Sequence, residues 1–108
     1  MNRKSLLFSI LFSCMFLFAK ADSWTQRANS IGVSVFDGAL FSIGNSGYWI
    51  GGYDGIITMY HTSWKYDTGT DTWSQVNDFP GVGRYITTGF SIGNDGYLFG
   101  GLDSNLNP

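Results

Sequence analysis

The sequence predicts an all-β protein built from a repeated four-stranded unit, and three observations predict it. The first is composition: all 15 glycines, four tryptophans and six tyrosines lie after residue 21. Glycine and aromatic residues, with few helix-forming residues, favour strands joined by tight turns. The second observation is an internal repeat, and the third is the set of turn signals inside it.

The repeat has a period of 49 residues, because segment 41–52 recurs as segment 90–101 (90 − 41 = 49). The two segments read FSIGNSGYWIGG and FSIGNDGYLFGG. The same offset places Trp24 on Trp73, and 14 of the 36 positions that can be aligned are identical. Self-similarity at a fixed period of this length is typical of repeat architectures.

One period contains four predicted strands. The first two flank Gly-Asn-Ser-Gly, whose copy contains Asp-Gly, a hairpin signal because such turns need positive φ. The other two flank Thr-Gly-Thr-Asp, and longer connections, residues 53–62 and 77–83, complete the period. The predicted strands are residues 35–43, 47–52, 63–67 and 72–76, and residues 85–101 begin the next copy.

These residues resemble the Kelch repeats, and in particular the secreted bacterial proteins with galactose oxidase-like or sialic acid mutarotase-like propellers. The resemblance covers residues 24–108 and implies a β-propeller of four-stranded antiparallel blades. In such blades, glycines let backbones approach closely, and tyrosine and tryptophan pack between blades. The residues that carry the resemblance are Gly51, Gly52, Tyr66 and Trp73, with Gly100, Gly101 and Trp24 as copies.

The Kelch resemblance implies an incomplete propeller over residues 22–108. This region would hold about one full blade with parts of two others, whereas propellers have about four to eight blades. We therefore expect open apolar faces and open strand edges, which recruit other chains. Missing blades or another chain would be needed to complete the propeller.

Residues 1–21 have the pattern of a secretory signal peptide. Arg3 and Lys4 begin it, an apolar run follows over residues 6–18, and Ala19 and Ala21 are the small residues of a cleavage site. The alternative is an uncleaved anchor, but the run is shorter than the roughly 20 residues that cross a bilayer. We expect a protein that is secreted, periplasmic or held at the cell surface.

The charge and cysteine content of residues 22–108 argue against several classes of protein. Three basic side chains and eight aspartates give 3 − 8 = −5, with no glutamate and no cysteine. A negative chain does not suit a nucleic acid or an anionic membrane. Without cysteine, no disulfide framework substitutes for a core.

The sequence offers little for catalysis. Galactose oxidase chemistry would need two histidines and a tyrosine cross-linked to cysteine, but His61 is the single histidine and Cys14 lies in the leader. Mutarotase chemistry would need acid–base groups, for which Arg84 and His61 are candidates. Asp67 and Asp71 lack the third carboxylate of a calcium loop and are interpreted as turn formers. We name no catalytic residue, metal or cofactor.

A binding module is the favoured interpretation, with a sugar-acting enzyme fragment and a purely structural repeat as alternatives. Because successive strands run antiparallel, the hairpin turns fall at one end and the long connections at the other. Arg84 aligns with Val35, so the repeat does not require a cation there; it would bind a carboxylate or sugar hydroxyls, or pair with a loop aspartate. The ligand is expected to be a glycan or a protein. The candidate ligand-binding residues are Tyr53, Asp54, Tyr60, His61 and Arg84.

Cleavage of the leader is the first testable prediction. Material isolated from the cell envelope or medium should begin at Asp22, because the small residues at 19 and 21 mark the peptidase site. N-terminal sequencing measures this directly. Intact Met1 in a membrane fraction would overturn the prediction.

Overall fold

The computed structural model describes residues 22–30 and 34–108. The leader predicted over residues 1–21 lies outside the described residues. The described part is all-β: it contains no helix, and so none that could cross a membrane. Its strands form two antiparallel sheets, neither of which is closed.

The first sheet has four strands in the order β1-β2-β3-β4. All its neighbouring strands are antiparallel and consecutive in the chain. The second sheet is the hairpin β5–β6. The strands are β1 (Ala39–Ile43), β2 (Ser46–Tyr53), β3 (Met59–Asp67), β4 (Thr72–Val76), β5 (Thr88–Ile92) and β6 (Asp95–Phe99).

β2 is one residue longer at each end than predicted, and two other strand boundaries differ from the sequence prediction by four residues. β1 begins at Ala39 rather than at residue 35, because Asp37 has a φ of 57°, which breaks the extended backbone. β3 begins at Met59 rather than at residue 63, so the connection after β2 shortens to residues 54–58. Tyr60 and His61 therefore lie on a strand and not in a loop.

The cause of the longer β3 is a β-bulge in β2. The pairing of β2 with β3 shifts register between Ile50 and Gly52, and then continues to the pair Tyr53–Met59. Gly51 and Gly52 have φ values of 69° and 112°, which glycine adopts without steric cost. The double glycine thus bends the strand where the prediction ended it.

The 49-residue repeat is reproduced in backbone detail. Phe36 and Tyr53 form an isolated bridge, and so do their counterparts Tyr85 and Leu102. Asp37 and its counterpart Ile86 have φ values of 57° and 56°. Residues other than glycine are uncommon in this left-handed backbone conformation, so the surroundings of the two turns impose it.

The front face of the first sheet is the side covered by the hairpin β5–β6. Because side chains alternate along a strand, β1 presents Ala39 and Phe41 to this side. A methyl group on Gly89 would lie 3.2 Å from the Ala39 Cβ, and one on Gly96 would overlap the Phe41 ring. The two sheets therefore pack closely, and the small core lies between them: Ala39 is 1% exposed. The other buried residues of the front face are Ile50 and Ser63.

The segment between β4 and β5 holds the two sheets together. The N–H of Gly52 donates to the Arg84 carbonyl at 2.9 Å, and the N–H of Arg84 donates to the Tyr60 carbonyl at 3.2 Å. Two residues on, the N–H of Ile86 donates to the Asp37 carbonyl at 2.8 Å. The chain thus enters the second repeat by bonding to the bulge of the first.

Trp24 does not lie on a strand, although the repeat aligns it with Trp73 of β4. It lies in an irregular segment and is 100% exposed. Trp73 belongs to a strand because β3 pairs with it, at Tyr66. Among the described residues no strand plays that part for Trp24, and a lone strand leaves its backbone groups without partners.

Replacing Gly51 by alanine should cost more stability than replacing Gly44. Both glycines have left-handed backbone, with φ of 69° and 56°. A Cβ on Gly44 would meet nothing within 4 Å, whereas one on Gly51 would lie 2.8 Å from the Arg84 carbonyl oxygen. Left-handed strain of about 1–2 kcal/mol applies to both, and the clash adds roughly 1–3 kcal/mol for Gly51→Ala alone.

Urea unfolding of the two variants beside the wild type measures this difference. Gly44→Ala is the matched control, since it changes the same residue type in the same backbone conformation. Equal losses of unfolding free energy would show that the contact with Arg84 contributes nothing.

Candidate binding surface

Residues 54–58 form a short loop that is built on one carboxylate. The Asp54 Oδ1 accepts hydrogen bonds from the N–H groups of Ile56, Ile57 and Thr58, at 2.9, 3.0 and 3.0 Å. The N–H of Asp54 donates to the Thr58 carbonyl at 3.2 Å and closes the loop. Aspartate is suited to this role because its short side chain can bond to the backbone that follows it.

These hydrogen bonds favour the ionised form of Asp54. The N–H of Ile56 has the largest effect and lowers the pKa of the Asp54 carboxyl, the loss of solvent opposes it, and the N–H groups of Thr58 and Ile57 lower it further. A carboxylate that accepts several backbone N–H groups is a better acceptor when charged. The loop is therefore held in its present form by a negative charge.

The second repeat builds the same loop over residues 103–107. The Asp103 Oδ1 accepts the N–H groups of Asn105 and Asn107, at 2.8 and 2.9 Å, and the N–H of Asp103 donates to the Asn107 carbonyl at 3.0 Å. Asp103 is the repeat counterpart of Asp54 (103 − 54 = 49). The sequence outside the aspartates differs, so the carboxylate is what the two loops share.

The two aspartate loops lie at the same end of the molecule. Tyr53 immediately precedes the first loop, and its ring lies 5.3 Å from the ring of Tyr85. Tyr85 exchanges backbone hydrogen bonds with Leu102, which immediately precedes the second loop. The contact between the tyrosines therefore sets the loops side by side.

Apolar side chains occupy the tips of these loops. Ile56 and Ile57 are 83% and 80% exposed, and Leu106, the counterpart of Ile57, is 65% exposed. Large apolar side chains presented by a hydrogen-bonded loop bury area on contact without a large loss of loop entropy. We refer to Ile56, Ile57 and Leu106 as the loop-tip cluster.

The predicted ligand residues Tyr53 and Asp54 support this surface from within. The Tyr53 hydroxyl donates to the Ile56 carbonyl at 3.0 Å, and its ring packs edge-on against Phe36. The Asp54 Oδ1 is occupied by loop N–H groups. Both side chains therefore position the loop tips, because the Tyr53 hydroxyl and the Asp54 Oδ1 bond to the main chain of the loop.

Arg84 is held by the second repeat. Its Nη1 donates to the Gly100 carbonyl at 3.1 Å, and its Nε is buried without a hydrogen-bond partner among the described residues. The guanidinium also helps to lower the pKa of Asp103, after the N–H groups of Asn107 and Asn105. The Arg84 side chain thus bonds to the second repeat through the Gly100 carbonyl, and its charge acts on the Asp103 carboxylate.

Tyr60 and His61 lie on β3, outside the loop of residues 54–58. The His61 Nδ1 is 3.8 Å from the Asp78 Oδ2, and the His61 ring meets Phe79 edge-on at 6.4 Å. The main chain of Tyr60 accepts the N–H of Arg84. The five predicted residues therefore share one end of the sheet, where Tyr60 bonds to Arg84 and His61 lies beside Asp78 and Phe79.

Metal ligands do not come together in the part of the chain that the structure describes. No three His, Cys, Asp or Glu side chains there lie close enough to hold one ion. Asp67 and Asp71, interpreted from the sequence as turn formers, accept backbone N–H groups: Asp67 from Gly69 at 2.8 Å, and Asp71 from Ala28 at 3.0 Å.

The aromatic pair Tyr66 and Trp73 lies near the opposite end, beside the turn from β3 to β4. Their rings are 5.2 Å apart, the Trp73 Nε1 donates to the Ala28 carbonyl at 3.1 Å, and the Tyr66 hydroxyl donates to Asp71. The pair therefore fastens residues 22–30 to the first sheet. The Trp73 indole bonds to a backbone carbonyl, whereas the Tyr66 hydroxyl bonds to a carboxylate.

Sequence reasoning missed the loop-tip cluster. A signal was present, since Asp54-Gly-Ile-Ile-Thr58 places two β-branched apolar residues directly after an Asp-Gly turn former. The sequence analysis included Ile56 and Ile57 in a longer connection, because it began β3 four residues too late. Comparison of the chain with protein-family models gives no match, and neither does comparison with the curated proteins.

Removing the Asp54 carboxylate should release the first loop. Asp54→Ala should lower the hydrogen-exchange protection of the amides of Ile56, Ile57 and Thr58, because all three donate to its Oδ1. Asp54→Asn keeps an oxygen acceptor but loses the charge, so it should retain more protection than Asp54→Ala and less than the wild type. Equal loss in both variants, or loss in neither, would contradict this account of the loop.

The same protection should depend on pH in the wild type. The pKa of Asp54 is lowered in the folded chain, so its contribution is complete above the ordinary pKa of about 3.9 and is lost as pH falls through the folded pKa. NMR-detected exchange of the loop amides below about pH 4 measures this. Asp54→Asn, which has no proton to take up, should not show the change in its first loop.

Proposed function

We propose that the chain is an exported Kelch-type repeat module that binds a protein partner through the loops at one end of its repeats. The observation that carries the proposal is the exposed loop-tip cluster on two loops fixed by carboxylates. Loops on a rigid scaffold are the usual place for binding residues. The export step rests on the leader pattern of residues 1–21.

The Kelch-type assignment is supported by the unit that the repeat builds. Four antiparallel strands lie within one 49-residue period, in chain order, as in a propeller blade. The β-bulge at Gly51 and Gly52 and the contact between the Tyr66 and Trp73 rings support the assignment, because these residues carry the resemblance. No family match accompanies them, so the assignment rests on these features.

A protein partner fits the loop end better than a glycan. Sugar sites combine an open aromatic face with free polar groups. Here the Tyr53 ring lies between Phe36 and Tyr85, and Arg84 and Asp54 bond to backbone groups. What the surface offers outward is aliphatic, and aliphatic side chains gain affinity by being buried against another apolar surface.

The test is selection from a displayed random-peptide library, in parallel with a panel of glycans. Peptides should be recovered, and Ile57→Ser should weaken the selected peptides by about thirtyfold, or about 2 kcal/mol, as for a residue central to an interface. Trp24→Ser is the control, because Trp24 is a fully exposed apolar side chain in residues 22–30, which bond to the sheet beside the β3–β4 turn at the opposite end. It should leave peptide binding unchanged.

Other outcomes would overturn the proposal. Binding of glycans but no peptides would point to the sugar-binding alternative. Peptide binding that is weakened by Trp24→Ser but not by Ile57→Ser would place the binding surface elsewhere.

A further inference from the structure

The hairpin β5–β6 has an outer face that residues 22–30 and 34–108 leave uncovered. Its inner side, with Gly89 and Gly96, packs against Phe41 of the first sheet. Because side chains alternate, the opposite side presents apolar residues, of which Phe99 is 75% exposed. We define the outer face as Phe90, Ile92, Tyr97 and Phe99, all of which are exposed.

The outer face is the repeat counterpart of a face that is already covered. Phe90 and Tyr97 stack at 5.3 Å, and so do Phe41 and Tyr48 of the front face, 49 residues earlier. The front face is covered by the hairpin itself. The outer face therefore carries the same aromatic pair as the front face, and the front face packs against the inner side of the hairpin.

The first sheet also has a rear face, on the side away from the hairpin. Alternation along β1 puts Leu40 there, and the cross-strand pairs put Trp49 and Trp64 beside it. Leu40 is 59% exposed, and both tryptophans are half-buried. Residues 22–30 bond to this sheet at Trp73 and Asp71, near its far edge. We define the rear face as Leu40, Trp49 and Trp64.

We propose that the outer face of one copy docks on the rear face of a second copy, so that chains associate head to tail. The contact within one chain is the model for this contact, since it joins the front face of the first sheet to the inner side of the hairpin. The rear face and the inner side of the hairpin are repeat counterparts, with Leu40 at the place of Gly89. A heterologous contact of this kind leaves one open face at each end and continues without closing at two copies.

The charges on the two faces permit this contact. The outer face carries Asp95 at one end, opposite Ile92, and the rear face as defined carries no charge. Leu40 is larger than Gly89, its repeat counterpart. The second copy therefore lies further from the sheet on which it docks than the hairpin lies from the first sheet. Trp49 and Trp64 supply the bulk that fills this wider space.

The test is sedimentation velocity of the purified protein and two lysine variants. The wild type should form oligomers that grow with concentration. Phe99→Lys blocks the outer face and Leu40→Lys blocks the rear face, so each variant alone should be monomeric. Both sites are exposed, so neither substitution removes much internal packing.

Mixing the two variants separates head-to-tail association from every other arrangement. Each variant keeps the face that the other lacks, so an equimolar mixture should form a one-to-one dimer and nothing larger. This recovery also shows that both variants are folded. Ile57→Lys, outside both faces, should assemble like the wild type, which makes a failure of this proposal distinct from a failure of loop-tip binding.

A monomeric wild type would overturn the proposal. So would a Leu40→Lys variant that still dimerises while the mixture forms no new species, since that result indicates two outer faces packed against each other. Oligomers that persist in both variants would place the contact on the strand edges instead.

Discussion

The bulge at the double glycine is the constraint on which the other features of the described chain depend. Left-handed backbone at Gly51 and Gly52 leaves an N–H free to bond to the Arg84 carbonyl, while β3 accepts the N–H of Arg84. A side chain at Gly51 would meet that carbonyl. The close approach of the Arg84 backbone to the bulge therefore needs glycine at residue 51 for two reasons: its positive φ and its lack of a Cβ.

The position of the second repeat follows from this junction. With Arg84 bonded to the bulge, the chain turns at Ile86 and lays β5 and β6 across the front face. The same junction brings Tyr85 against Tyr53, and so brings the two aspartate loops together. The backbone contact between Arg84 and the bulge thus determines that the front face is buried and the outer face is exposed. It also determines that the two aspartate loops lie at the same end.

The buried part of the molecule is small, and this explains its open surfaces. Ala39 and Ile50 are the buried apolar residues of the described chain, and a short chain buries a smaller share of its surface than a large one. The repeats place aromatic side chains on both faces of the first sheet and on the outer face of the hairpin. A single contact between sheets uses only one of these sides, so the outer and rear faces stay exposed.

The sequence by itself determined the all-β class, the period, the hairpins and the turn role of Asp67, because these depend on contacts between residues close in the chain. Asp71, also interpreted as a turn former, accepts instead the N–H of Ala28, which is distant in the chain. The sequence prediction placed β3 late, because the bulge that extends the strand depends on φ at two glycines and not on the residues being extended. It singled out Arg84 as a cation that the repeat does not require, but not its bond to the Gly100 carbonyl, which depends on the packing of the second repeat. Only the tertiary structure decided which side chains are covered and which polar groups are occupied, since those depend on how one repeat packs on the next.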